Sequence, residues 1–358
     1  MPKRPLLKYF LGVVLLISAA KSNAMQPLTD NEMQQSSGQA LLSLSYISPT
    51  EGNNPNQNVG FYRMMMEANI ELNANIKRLQ LGCGGSKGSG CDIDIEDLSL
   101  TGVNPVNGQY ANTDALINNP FIEFAIKSPD SASTRELVGI RLGALNILGK
   151  LGLGSNIDLN TLADDVGGIK SLSGDVNITM TNTILGNIVI GGGLARTEAY
   201  INDYNKLVIL NRSTTATLDK ISAKTGPLRI FGLLNLASGL TLNNATLKDY
   251  PLSGFHEVLL SKDEAGTIPT SDLYLSLQKQ AINWQKISTH SFTDTVPAQT
   301  GWWLSLPRLF LTDIETQERV DIPLSDAASG LFGRELIINP MDSGQRGIKN
   351  CYGGLTFC

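Results

Sequence analysis

Catalysis needs nucleophiles, bases or metal ligands at workable spacing, and this 358-residue chain offers few of them. Its two histidines, His256 and His290, lie far apart with no acid–base pattern around them, so most histidine-centred catalysis lacks raw material. Gly84-Gly85-Ser86-Lys87-Gly88 spells GxSxG, but a nucleophile elbow requires a strand-to-helix turn and a downstream base. Here the match lies in a glycine loop between two cysteines, and a structural turn is expected. Asp92, Asp94 and Glu96 fall on one face of a strand, about 7 Å apart. They are a candidate Ca²⁺ set if loop carbonyls completed the shell, although the Gly and Asn pattern of a calcium loop is absent. A solvated polar face opposite Ile93 and Ile95 is the simpler expectation. A glycosidase would need two acids facing each other across a cleft, and no spacing points to such a pair. A non-enzymatic protein without cofactor is therefore expected.

The four cysteines allow three pairings. Two local bridges, Cys83–Cys91 and Cys351–Cys358, are favoured because each closes a short glycine-rich loop. Zinc is disfavoured because neither pair has CxxC spacing and no histidine is near. Disulfides belong to an oxidising compartment, and the N-terminus agrees. Lys3, Arg4 and Lys8 precede the apolar run Phe10–Ala20, and Ser22-Asn23-Ala24 offers a cleavage site, so residues 1–24 read as a signal peptide. The run is too short to span a bilayer as a helix, and no later stretch is long enough. The first 24 residues hold four basic and no acidic side chains. Without them, 24 basic groups face 33 acidic ones, a net charge near −9. Such a surface argues against a nucleic-acid partner, which requires a basic face.

Elements that would position any site are strands. From Met64 to Ile76 the even positions are apolar, and from Glu67 the odd ones are polar, the period of a half-buried strand. The phase flips at Lys77-Arg78, where a bulge is expected. The same alternation returns at Ile93–Leu100, Ser171–Ile184, Leu234–Leu242, Leu273–Leu277, Leu304–Leu311 and Val320–Leu324. Several runs exceed the usual five or six residues. A mainly β fold follows, with long amphipathic strands in an extended or curled sheet, sandwich- or roll-like, whose apolar faces meet each other, a ligand or lipid. Trp302 and Trp303 are expected on opposite faces of a strand, at least one of them in the core. Helices are minor: Asn31–Ser36, capped by Asp30, and one turn at Leu162–Val166.

The chain then divides into residues 25–47 as an N-terminal segment, 48–59 as a Pro-, Gly- and Asn-rich linker, and 60–358 as the β body, with a candidate C-terminal subdomain from about 293. The ending Tyr352-Gly-Gly-Leu-Thr-Phe-Cys358 loosely resembles the terminal signal of outer-membrane barrels. The extra Cys358 and the 6% aromatic content fit that signal poorly.

Four stretches carry a family resemblance. Met25-Gln-Pro-Leu-Thr-Asp-Asn-Glu-Met33 with Gly38-Gln39 is similar to the post-signal segment of exported gammaproteobacterial proteins. Gly60-Phe61-Tyr62, Glu71-Leu72-Asn73 and Leu79-Gln80-Leu81-Gly82-Cys83-Gly84-Gly85 resemble their first strand and cysteine loop. Asn119–Lys127 with Ser133-Thr-Arg-Glu136, and Asn350-Cys351-Tyr352-Gly353-Gly354-Leu355, complete the match. Some of that group are described as pilus-system components, the Fil proteins. The resemblance implies an exported protein of the cell surface, outer membrane or periplasm that associates with envelope or pilus-like components. It implies no catalytic residue. The alternative is a periplasmic carrier that binds lipid in an apolar groove of curled sheet, and a third reading is an outer-membrane β-barrel.

Overall fold

The structure, a computed structural model, describes residues 41–104, 113–154, 167–190, 195–230, 234–237, 241–311, 319–322 and 336–338. The leader, the Asn31–Ser36 and Leu162–Val166 helices and the Cys351–Cys358 pair lie outside the described residues.

The protein is mainly β. Strands β1 (Leu42–Ile47), β2 (Val59–Met66), β3 (Asn69–Leu72), β4 (Ala74–Leu81) and β5 (Ile93–Thr101) come first. The longest follow: β6 (Ala115–Lys127), β7 (Glu136–Leu153), β8 (Gly168–Ile190) and β9 (Ala195–Ser213). Then come β10 (Thr215–Thr225), β11 (Leu228–Ile230), β12 (Leu234–Ala237), β13 (Thr241–Pro251) and β14 (Glu257–Leu260). β15 (Thr270–Gln278), β16 (Gly301–Leu311), β17 (Arg319–Ile322) and β18 (Leu336–Ile338) complete the set. Helical structure among the described residues amounts to two 3₁₀ turns, Gly85–Lys87 and Leu252–Gly254.

Pairing runs in order from β1 to β2, β6, β7, β15, β16, β8, β9, β10 and β13. The sheet also closes on itself. β5 pairs with the end of β7 (Leu98 opposite Leu153) and with the start of β8 (Ile95 opposite Ile169). β7 pairs with β14, β14 with β16, and β16 with β8, so five strands form an unbroken ring of backbone hydrogen bonding. The main core fills that ring: Ile93, Leu172 and Leu260 are at most 1% exposed, with Ile178, Leu252 and Leu309 beside them. A second core, built on Phe61, Trp284, Ile282 and Trp303, lies between the sheet and the chain segment that follows β15.

Alternation explains the elements, with instructive departures. The Met64–Ile76 run is not one strand but parts of three. It breaks at Glu67-Ala68 and Asn73, because β3 pairs with β6 whereas β4 turns away to pair with β5. The bulge expected at Lys77-Arg78 does not break the register, which runs unshifted from Ile76 opposite Leu98 to Arg78 opposite Glu96, with Ile76 exposed and Leu79 against the core. The partner strand carries a left-handed residue beside that stretch, Asp97 (φ 50°). Residues 48–58 form an ordered loop rather than a free linker: Asn54 donates to the Ser48 and Val59 carbonyls, and Asn56 exchanges hydrogen bonds with the Asn283 backbone. β1, assigned from sequence to a separate N-terminal segment, joins the sheet beside β2. β16, beyond the suggested boundary near 293, is part of the ring.

Candidate functional site

The sheet formed by β7, β15, β16 and β8 has two faces of opposite chemistry. On β8, Val176 and Ile178 point into an apolar cavity while Asp175 and Asn177 line a polar hollow. On β16, Leu304 and Leu306 face the cavity and Ser305 the hollow. On β15, Leu273 and Leu275 oppose Tyr274. Strict period-2 alternation thus separates two sites by the thickness of one sheet.

The apolar cavity lies inside the ring. Its volume is about 180 Å³, and every lining side chain is Leu, Ile, Val or Phe. An apolar cavity of about 150 Å³ is enough to stay dry and take up benzene. Leu273, Leu275, Leu304 and Leu98 line it yet are only half-buried, so it opens outward.

From that mouth an apolar surface continues across the sheet. Leu304, Leu275, Leu142, Ile122, Met64 and Leu44 stand directly opposite one another, strand by strand. A second row runs Trp302, Leu277, Ile140, Phe124, Tyr62 and Tyr46. Leu142 is 50% exposed and Leu44 78% exposed. Six strands at about 4.8 Å spacing make each row about 24 Å long. Contiguous exposed apolar surface of this kind marks a binding surface far more often than isolated exposed residues do.

The other face is held by buried charge. Glu123 on β6 sits between Arg63 on β2 and Arg141 on β7, all three nearly inaccessible. Arg63 donates to Glu123 at 2.8–3.0 Å, and Arg141 also donates to the Gln285 carbonyl at 2.8 Å. The Arg141 guanidinium lies 5.0–5.2 Å from the ring centres of Phe121, Tyr274 and Trp284. Burial pulls the Arg63 guanidinium below its ordinary value, although Glu123 opposes that shift. Tyr274 is pushed far above the phenolic range, first by burial and then by the Asp175 charge. Trp303 donates its indole N–H to Asp175 at 2.8 Å.

The sequence-derived candidates fare differently. Cys83 and Cys91 are bridged, as expected. Closing so short a loop stabilises by about 2.5 kcal/mol through the unfolded chain. The GxSxG segment is a 3₁₀ turn inside that loop, and Lys87 from it pairs with Asp92 at 2.9 Å. Asp92, Asp94 and Glu96 are neither a solvated face nor a metal shell. Asp92, 2% exposed, accepts from Lys87, Arg212 and the Trp302 N–H; Asp94 accepts from Arg78 and Gln80; Glu96 pairs with Arg78 and Lys170. Cationic side chains already occupy those oxygens, so the three carboxylates are not arranged as the candidate calcium set. Among the described residues no group of three or more His, Cys, Asp or Glu is placed to hold a metal. Arg212, unnoticed in the sequence, also donates to the Gly82, Gly84, Gly88 and Ser89 carbonyls, clamping the cysteine loop to β9. His256 is structural: it is buried, with Nδ1 2.7 Å from the Leu153 carbonyl. Trp303 is buried and Trp302 half-exposed, as the strand period requires.

This cluster has a pH signature. Burial pushes Asp92 upward, but hydrogen bonds from Lys87, the Trp302 N–H and Arg212 outweigh it and leave the carboxyl below its ordinary 3.8. For Asp94 the Arg78 hydrogen bond dominates and also lowers it. Groups depressed on folding stabilise the native state above their unfolded value, and that contribution is lost as pH falls through the folded value. Urea titrations are therefore expected to show a flat midpoint from pH 7 to about 5 and a falling one below about 4. The fall should be shallower in Asp92→Asn.

Comparison with known proteins finds no matching family model, no matching curated protein and no matching solved structure. Among the described residues no helix is long and apolar enough to cross a membrane, which says nothing of spanning by strands.

Proposed function

We propose that this protein is an exported, non-enzymatic carrier that binds an acyl chain of a lipid in the curled sheet. The observation that carries this reading is the all-apolar cavity whose mouth continues into two exposed apolar rows. Half the hydrocarbon core of a bilayer, about 15 Å, is the length of one acyl chain. A row of about 24 Å accommodates it with its end seated in the cavity. The leader and the disulfide support export beyond the inner membrane, and the family resemblance supports a place in the envelope.

The test is an organic extract of the purified mature chain, together with dodecanoate titration. Stoichiometric co-purified lipid is expected, and dodecanoate at 100 times its Kd should add about 2.7 kcal/mol of stability. Leu275→Lys, which puts a charge at the half-exposed mouth, should abolish uptake with the far-UV spectrum unchanged. Lipid-free protein with no saturable dodecanoate uptake would sink the proposal.

A second reading is an accessory to a pilus-like appendage, with other envelope components as partners. It is favoured by β1, which among the described strands pairs only with β2 and exposes Leu42 and Leu44. Under that reading the apolar rows are covered by protein, and Leu44→Lys would release a partner without touching acyl binding.

A further inference from the structure

The two apolar rows end at β1, on an edge that is open. Among the described strands β1 pairs only with β2, in an unshifted register from Leu42 opposite Met66 to Ile47 opposite Phe61. Its far side therefore presents backbone N–H and C=O groups ready to pair with another strand. Native edges are commonly blunted by a charge, a proline or a bulge. The strand Leu-Ser-Leu-Ser-Tyr-Ile contains none of the three. Its outward face is apolar as well, with Leu42, Leu44 and Tyr46 all exposed.

The residue order says what fits there. Leu42-Ser43-Leu44-Ser45-Tyr46 reads apolar, Ser, apolar, Ser, apolar in either direction. Residues directly opposed in antiparallel pairing share one face of the sheet. A second copy of β1, turned about a twofold axis at Leu44, sets Leu44 opposite Leu44, Leu42 opposite Tyr46 and Ser43 opposite Ser45. Apolar side chains then meet apolar ones, serines meet serines, and no charge within the strand is brought against its like. This self-complementarity is what a twofold interface requires. Tyr46 is already held against Tyr62, ring centres 4.5 Å apart, so little side-chain freedom is left to lose on association. The pairing joins the row ending at Leu44 to its own symmetry mate, giving about 53 Å of continuous apolar surface. About 17 Å of shared edge, with three apolar side chains from each copy, buries on the order of 1,000 Å² in all. That is the lower limit of a specific interface and corresponds to a reversible dimer of micromolar affinity.

We propose that the protein forms a symmetric dimer by antiparallel pairing of β1 with β1. The strand lies outside the ring that encloses the acyl cavity, so the dimer stands or falls independently of the carrier reading. It also gives the β1 edge an occupant other than the envelope component of the appendage reading.

The experiment is sedimentation of the purified mature chain from about 1 to about 200 µM, where a monomer–dimer equilibrium is expected. Leu44→Lys and Leu44→Glu each set like charges against each other at the twofold axis and should weaken the dimer about 100-fold. Both substitutions are at a largely exposed position, so the far-UV spectrum should be unchanged. An equimolar mixture of the two variants should dimerise again, because Lys then faces Glu. Leu44→Cys should form a disulfide-linked dimer on mild oxidation, since opposed Cα atoms about 4.5–5.5 Å apart fit a disulfide. Leu210→Cys, at a comparably exposed site on β9, should not. A chain that is monomeric throughout the range would overturn the proposal. So would a dimer indifferent to both charged variants, or one that their mixture fails to restore. Dodecanoate uptake should be unchanged in every variant, which keeps failure of the dimer distinct from failure of the carrier.

Discussion

Replacing Glu123 with Gln is expected to destabilise the protein by about 3–5 kcal/mol, the cost of leaving a buried charge without its partner. Glu123 is ion-paired with both Arg63 and Arg141, and all three side chains are at most about 5% exposed. Glutamine keeps the shape but leaves two guanidiniums facing each other in a dry interior. Burial already disfavours the charged form of Arg63, and without Glu123 the weaker pull of Asp272 is left to oppose that penalty. The readout is the urea midpoint at pH 7. Adding Arg63→Met to the same chain removes one orphaned charge and should restore a substantial part of the loss. If Glu123→Gln alone moved the midpoint no more than a surface substitution does, the triad would not be holding β2, β6 and β7 together.

The second large effect is expected at Gly174. This residue pairs in parallel with Leu304, at the seam where β8 meets β16 and the ring closes. A Cβ built there would lie 2.1 Å from the Leu304 carbonyl oxygen, a backbone atom that cannot swing aside. Gly174→Ala therefore forces the two strands apart by nearly an ångström at a fully buried position. Overpacking of this kind costs about 3 kcal/mol. Because the seam walls the apolar cavity, dodecanoate uptake should fall together with the urea midpoint. The same substitution at Gly84, where a Cβ meets nothing within 4 Å, separates close approach from the loss of backbone freedom at φ 70°. Hydrogen exchange at β8 and β16 distinguishes the two variants: rapid exchange at both strands is expected only for Gly174→Ala.

Much of this was legible in the amino-acid order because side-chain polarity reports which face of a strand is wet. The alternation of Leu304–Leu311 and Leu273–Leu277 places those strands correctly, and Trp302 and Trp303 divide between faces as their adjacency demands. What alternation cannot encode is the partner. Nothing in Met64–Ile76 announces that the chain changes neighbours at Asn73, because β3 and β4 have the same local pattern. Polarity also misleads where polar groups satisfy one another. Asp92 looks like part of a solvated edge until Arg212, 120 residues away, is folded over it. The triad left a trace: Arg63 is the lone charge of β2, and Glu123 and Arg141 each stand mid-strand with apolar residues on both sides, which is how a buried ion pair looks before its partner is known. The apolar rows are visible strand by strand, but their continuity emerges only from registers that local sequence does not contain.

The ring closure also has a kinetic consequence. Gly174 must find Leu304 across about 130 intervening residues, and Ile95 must meet Ile169 before either pairing encloses hydrophobic surface. Chains dominated by such distant pairings fold in milliseconds to seconds rather than microseconds. The early strands cannot be roofed until β16 has emerged, so a nascent or translocating chain stays open through most of its synthesis. On the export route proposed above, that delay would suit passage through a secretion channel, which requires an unfolded polypeptide. It also leaves long oily ribbons uncovered meanwhile, exposed to aggregation until the ring closes.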